Sequence, residues 1–213
     1  MSLTVVVDYD SGNLHSAEKA FQRMAAETGA GSVIVSSRPE DVARADRIVL
    51  PGDGAFPACR AALDRFTGLF EVIEEAVTVR ARPFLGICIG MQMMATRGLE
   101  YRETPGFGWI GGEVVRIEPA DRTLKVPHMG WNDLVIDRPH PVLAGIETGT
   151  HAYFVHSYHF RVAQPSHLLA HCDYGGPITA IVGKDNMVGT QFHPEKSQAT
   201  GLKLIANFLS WRP

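Results

Sequence analysis

Few features of this 213-residue chain suit it to a membrane, to nucleic acid or to a disulfide framework. It has no apolar run long enough to span a bilayer, and its first apolar strand soon meets Asp8 and Asp10, which is unlike a signal peptide. The cytoplasm is the default expectation. A formal net charge of −3 disfavours general affinity for nucleic acid or anionic lipid. Three scattered cysteines (Cys59, Cys88, Cys172) offer neither a disulfide framework nor CxxC metal spacing. Nine histidines form no HExxH, so no metal and no cofactor is expected. No Pro/Gly/Ser linker or internal repeat divides the chain, which reads as one domain over residues 1–213.

What is present is alternation. Apolar strands at Leu3–Asp8, Val33–Ser36, Asp46–Leu50 and Pro83–Ile87 alternate with helical patterns at Leu14–Glu27, Ala58–Arg80 (with a break at Gly68) and Met91–Arg97. That spacing predicts βαβ units: an α/β fold with a mostly parallel, flavodoxin-like sheet covered by helices on both faces. After about residue 105, short β-rich runs follow between Gly and Pro turns: Gly112–Ile117, Asp133–Ile136, Ala152–Val155, His167–Cys172, Ile178–Gly183 and Met187–Gln191. These predict a smaller antiparallel portion in the C-terminal half, closed by a helix over Gly201–Trp211.

Chemistry concentrates in three places. In Pro83-Phe84-Leu85-Gly86-Ile87-Cys88-Ile89-Gly90-Met91-Gln92, a strand ends in a glycine-flanked turn with Cys88 at its apex. Glycines there clear space around the sulfur and permit a strained backbone, and a following helix N-terminus favours a thiolate. His193-Pro194-Glu195 supplies a base and a partner to orient it. Pro51-Gly52-Asp53-Gly54 follows a strand and can point backbone N–H groups inward, as an oxyanion hole requires. Each alone reads as ordinary architecture: a tight turn, a surface histidine beside a proline, a loop. Together they fit one reaction, acyl transfer.

The chain resembles the triad-type (class I) glutamine amidotransferases through Gly86–Gln92 with the downstream His-Pro-Glu. Further segments match the branch formed by the glutaminase subunits of imidazole glycerol phosphate synthase. They are Asp8-Tyr9 with Gly12-Asn13-Leu14, Pro51-Gly52-x-Gly54-Ala55-Phe56, Pro127-His128-Met129-Gly130-Trp131-Asn132, Tyr153-Phe154-Val155-His156-Ser157-Tyr158 and Gln191–Ser197. The resemblance covers essentially the whole chain. It implies that Cys88 attacks the glutamine carboxamide, with His193 and Glu195 completing a triad. Backbone N–H groups of Gly52, Asp53, Gly54 and Ile89 would form the oxyanion hole. Gln92, Glu100, His156, Ser157 and Tyr158 would bind L-glutamine. Ammonia would pass to a (β/α)8-barrel cyclase/synthase partner docked on Asn13, Trp131, Tyr153 and Lys196. Those last residues have plain readings too: Trp131 as core, Tyr153 as a strand aromatic, Lys196 as a solvated charge.

Two positions depart from the family pattern. Asp10 replaces a common glycine, so a different backbone conformation is expected in the first loop. Asp53 brings a carboxylate into the oxyanion segment, where it would oppose a developing oxyanion unless it points outward. Other amidotransferase subunits, serving anthranilate, guanylate or carbamoyl phosphate synthesis, lack the Pro127–Asn132 run. A catalytically silent module on the same fold is disfavoured by the presence of Cys88, His193 and Glu195 together.

Overall fold

The computed structural model describes residues 2–10 and 14–213. The first half runs β1 (Leu3–Val7), α1 (Leu14–Thr28), β2 (Ser32–Ser36), α2 (Pro39–Arg44), β3 (Arg47–Gly52), α3 (Phe56–Asp64), α4 (Leu69–Glu74), β4 (Phe84–Cys88) and α5 (Ile89–Gln92). Six short strands follow: β5 (Arg97–Gly98), β6 (Thr104–Pro105), β7 (Gly112–Arg116), β8 (His128–Asp133), β9 (Val135–Ile136) and β10 (His151–His156). The chain then forms β11 (Tyr158–Val162), β12 (Leu168–Asp173), β13 (Pro177–Lys184), β14 (Met187–Thr190) and α6 (Gln198–Ser210).

Among the described residues the main sheet has eight strands in the order β2-β1-β3-β4-β14-β13-β12-β9. From β2 to β14 neighbours are parallel, and from β14 to β9 they are antiparallel. Strands β3 and β4 are buried at every position, which is why Ile48–Leu50 and Phe84–Ile87 read as apolar runs, although β3 opens on a buried Arg47. Helix α1 packs on α6, with Phe21 edge-on to Phe208, while α2 and α3 pack on α4. These groups cover the two faces of the sheet. Gly68, at φ 79, separates α3 from α4 as its position implied, because an L side chain resists that conformation.

The smaller antiparallel portion expected in the C-terminal half is present, and part of it joins the main sheet. Strands β12, β13 and β9 extend the main sheet, and only β10-β8 and β11-β7-β5-β6 form separate small sheets. Strand β8 covers most of the Pro127–Asn132 run, which carried no strand expectation. The helix expected over Met91–Arg97 is also different. Only Ile89–Gln92 is helical, because the carbonyls of Met93, Met94 and Ala95 accept from Phe107, Ile110 and Gly108 instead of continuing the helical ladder. No helix among the described residues is long and apolar enough to cross a membrane.

Candidate active site

The three chemical segments meet because β3, β4 and β14 are neighbours in the sheet and parallel, so their C-terminal ends share one edge. Gly52 lies opposite Cys88 in register, and Thr190 opposite Ile87. Ligands of open parallel sheets bind at such an edge.

Cys88 sits at φ 54, ψ −111, a conformation costly for any L residue and typical of strained functional turns. The strain falls on the cysteine rather than on its flanking glycines, whose role is close approach. A Cβ on Gly90 would lie 1.8 Å from Leu50 O, and one on Gly86 would lie 2.5 Å from Gly90 O. Both glycines let the turn press against β3 and β4. Because α5 is a single turn, it contributes little macrodipole, and the free N–H groups at its start remain as donors.

His193 follows β14 and is fixed through its backbone. Its N–H donates to Tyr153 O at 3.1 Å, and its carbonyl accepts from Ser197 Oγ at 2.7 Å. Its Nδ1 donates to Glu195 Oε1 at 2.8 Å, with both side chains almost fully buried. That bond leaves Nε2 toward Cys88, buried and without a hydrogen-bond partner of ordinary geometry. Burial alone would lower the imidazole pKa. Cys88 and Glu195, by hydrogen bonding and charge, outweigh it and raise it to about 10. A sulfur nucleophile, an imidazole and an orienting carboxylate in this relation are the requirements of acyl transfer.

In front of the sulfur lies a cleft of about 240 Å³. Of the residues expected to bind glutamine, Gln92, Glu100, His156, Ser157 and Tyr158 all line it, as do Asp53, Gly54 and Ile89. Gln92 is fully buried and its Oε1 is unpartnered. Glu100 already receives the Phe56 N–H on Oε2 at 2.7 Å, which anchors it to the start of α3. Asp53 is exposed at the rim of the cleft. In the same segment, Tyr9 Oη donates to Pro51 O at 2.6 Å and Cys59 Sγ donates to Asp53 O at 3.2 Å. Tyr9 had no expected role, although it was part of a quoted motif.

This combination of strained cysteine elbow, His–Glu pair and amino-acid-sized cleft is the observation the family match explains. The sequence profile of the glutamine amidotransferase class-I family matches residues 5–211. The chain belongs to this family. As a class-I glutamine amidotransferase it is an enzyme. It is 81% identical over 211 residues to "Imidazole glycerol phosphate synthase subunit HisH" of Cereibacter sphaeroides, covering 99% of this chain and 100% of that one. The subunit of the same description from Ruegeria pomeroyi is 67% identical, again covering 99% and 100%. A solved structure described as a glutamine amidotransferase superposes with TM-score 0.72 at 18% identity, covering 97% of this chain and 99% of that chain, and so shares the fold.

The remaining expected residues fall as follows. Trp131 is 47% exposed, so its reading as core is overturned: it lies opposite Tyr153 across β8 and β10, and the two rings meet edge-on at 5.7 Å. Lys196 is half-buried at the end of the turn carrying the His–Glu pair. Asn13 lies outside the described residues. Asp10 has φ 62, the left-handed conformation a glycine would adopt there, because a short carboxylate side chain tolerates it.

Burial also sets the acid limit of stability. It lowers His128 to about 4, His156 to about 3 and His159 to about 4. Between those values and the ordinary histidine range, the unfolded chain binds protons that the folded chain refuses. Stability therefore falls as pH drops below about 6.5. The raised His193 acts in the other direction, its contribution being lost as pH climbs toward about 10. The urea midpoint is expected to peak near neutrality and fall steadily toward pH 4.5; a flat profile from pH 7 to 4.5 would contradict the burial of these rings.

Proposed function

We propose that this chain is the glutaminase subunit of an imidazole glycerol phosphate synthase, acting as one amidotransferase unit over residues 1–213 in the cytoplasm. The convergence of Cys88, Gln92, Glu100 and 156–158 on one cleft, with His193 behind the sulfur, is the observation that carries the reading. The names of the relatives that share 81% and 67% of their residues with this chain support the choice of synthase.

In this reading Cys88 attacks the side-chain carboxamide of L-glutamine. His193 delivers a proton to the departing ammonia, and Glu195 holds the imidazole with its Nε2 toward the sulfur. The N–H groups of Ile89 and of the Gly52–Gly54 segment stabilise the oxyanion. Water then releases glutamate from the thioester. Glu100 takes the α-ammonium through the oxygen not engaged by Phe56, and Gln92 and the 156–158 backbone take the remaining head-group atoms. Ammonia passes to a (β/α)8-barrel cyclase subunit, forming a heterodimer through Trp131, Tyr153, Lys196 and Asn13. The partner yields imidazole glycerol phosphate and aminoimidazole carboxamide ribotide. Tyr153 suits this role, since its main chain is bonded to His193 and Ser197 while its ring meets exposed Trp131.

The oxyanion segment rests with an N–H turned away and flips when the partner and its nucleotide ligand engage, a change cheapest beside glycine. Glutaminase turnover by the purified chain alone is then expected to be about 100-fold or more below that of the liganded complex, the usual cost of a missing oxyanion donor. Equal turnover with and without the partner would remove the flip from the mechanism.

A further inference from the structure

We propose that Gln191 is a positioning residue for the Cys88 nucleophile, held in place by a hydrogen-bonded chain that starts at the partly exposed Asn132 and runs inward through the buried His128. The inference rests on the proposed role of Cys88 in glutamine hydrolysis and adds a device that controls the sulfur.

One carbonyl orients the whole chain. Tyr158 O can only accept, so His156 Nδ1, 2.8 Å away, carries its ring's proton. Burial keeps both His156 and His128 neutral at working pH. His156 Nε2 therefore accepts, and His128 Nδ1 donates to it at 3.0 Å. His128 Nε2 then accepts from Asn132 Nδ2 at 3.3 Å, while that amide also donates to Asp173 O at 2.9 Å. No other tautomers satisfy all these contacts.

The same carbonyl fixes the inner branch. Gln92 Nε2 donates to Tyr158 O and to Gln191 Oε1, both at 3.0 Å. With its oxygen so engaged, the Gln191 carboxamide must present Nε2 to Cys88 Sγ, at 3.7 Å. Gln191 is fully buried, so its N–H group has little water to turn to and serves the sulfur. A donor aimed at sulfur favours thiolate over thiol.

The outer end opens on a separate groove of about 470 Å³ lined by His128, Met129, Trp131, Asn132 and Tyr174. His128 is stacked between Phe154 and Tyr174, at 4.8 and 4.1 Å between ring centres. A ligand or partner group that draws Asn132 or His128 out of line would loosen Tyr158 O, and with it both glutamines. The chain thus joins the outer groove to the nucleophile by bonds that can be cut one at a time.

The test is the pH profile of Cys88 alkylation by iodoacetamide in the full chain, read on the Cys88 peptide by mass. The charged and titratable groups facing the sulfur are His193 and Glu195 behind it and Asp53, Glu100 and His156 across the cleft; none is changed. Gln191→Met keeps length and removes the donor, and is expected to slow alkylation about tenfold at neutral pH, with the curves meeting in alkali. Gln191→Glu retains the acceptor for Gln92 and so keeps the chain, while exchanging the donor for a carboxylate whose charge opposes the thiolate, and should be at least as slow. His128→Phe keeps the aromatic stack and cuts the outer link, for an effect of about threefold. The Gln191→Met/His128→Phe double variant should be no slower than Gln191→Met, since one chain is being cut twice. Wild-type profiles for both Gln191 variants, or a double variant slowed about thirtyfold as independent sites would be, overturn the proposal. Absence of glutamine hydrolysis by the wild-type complex would instead strike the proposed function, leaving the alkylation result to stand on its own.

Discussion

Replacing Cys88 with alanine is expected to lower glutamine-dependent synthesis by the complex on the order of 10⁴-fold or more, while ammonia-dependent synthesis stays at the wild-type level. In the proposed mechanism Cys88 is the one group for which the cleft holds no substitute. Among the residues lining it, Ser157 is the remaining hydroxyl nucleophile without a ring, and the His–Glu pair is built behind Cys88. The substitution is also gentle. Cys88 is 3% exposed, alanine is smaller, and the positive φ is borne equally by either residue. Free ammonia bypasses the cleft if the partner's own site is intact, so that arm reports on folding and docking. Loss of both activities would show that the elbow is needed for assembly, and residual glutamine-dependent synthesis near wild type would remove the sulfur from the chemistry.

Glu195→Gln is expected to lower kcat for glutamine by about 10³-fold to 10⁴-fold with a much smaller change in KM, ammonia-dependent synthesis again being unaffected. Glu195 Oε1 accepts the Nδ1 proton of His193 at 2.8 Å in surroundings that exclude water. A carboxamide there can present its NH₂ to Nδ1, which disfavours a proton on that nitrogen and leaves the imidazolium without the carboxylate that stabilises and orients it. The variant also removes one of the two groups that raise His193, so the imidazolium beside Cys88 is weakened. Steady-state kinetics on the complex check the rate, and alkylation of Cys88 is expected to need more alkaline conditions than in the wild type. A kcat within about threefold of wild type would mean that the carboxylate orients nothing.

Much of the fold was legible because local rules and tertiary environment agree. The apolar runs at Val5–Val7 and Ile48–Leu50 are fully buried, and the helical break at Gly68 falls where a left-handed residue is needed. The misreadings came where long-range bonds override local pattern. Met91–Arg97 has helical composition, yet its carbonyls are taken by residues 107–110. The Pro127–Asn132 run stood out as a motif rather than a strand, because Gly130, at φ 131, interrupts the usual strand signal and pairing with β10 supplies the order. Trp131 is a different case: its composition alone reads as core, and only the resemblance put it on an open face, because nothing in a sequence states which face of a two-stranded ribbon lies open.

The sequence by itself determined the parallel half of the fold and the family, and it singled out the groups proposed to react. Each is written in contiguous residues: an apolar strand, a glycine-framed cysteine, a His-Pro-Glu. Only the tertiary structure decided how they work together. The order β3-β4-β14 places two loops on either side of Cys88, although β14 begins 99 residues after Cys88 in the chain (187 − 88). The close approach of Gly90 to β3 follows from that order, and the chain from His128 to Gln191 needs the separate pairing of β8 with β10 as well. Hydrogen bonds between residues distant in sequence depend on which strands pair, and local pattern does not encode that choice.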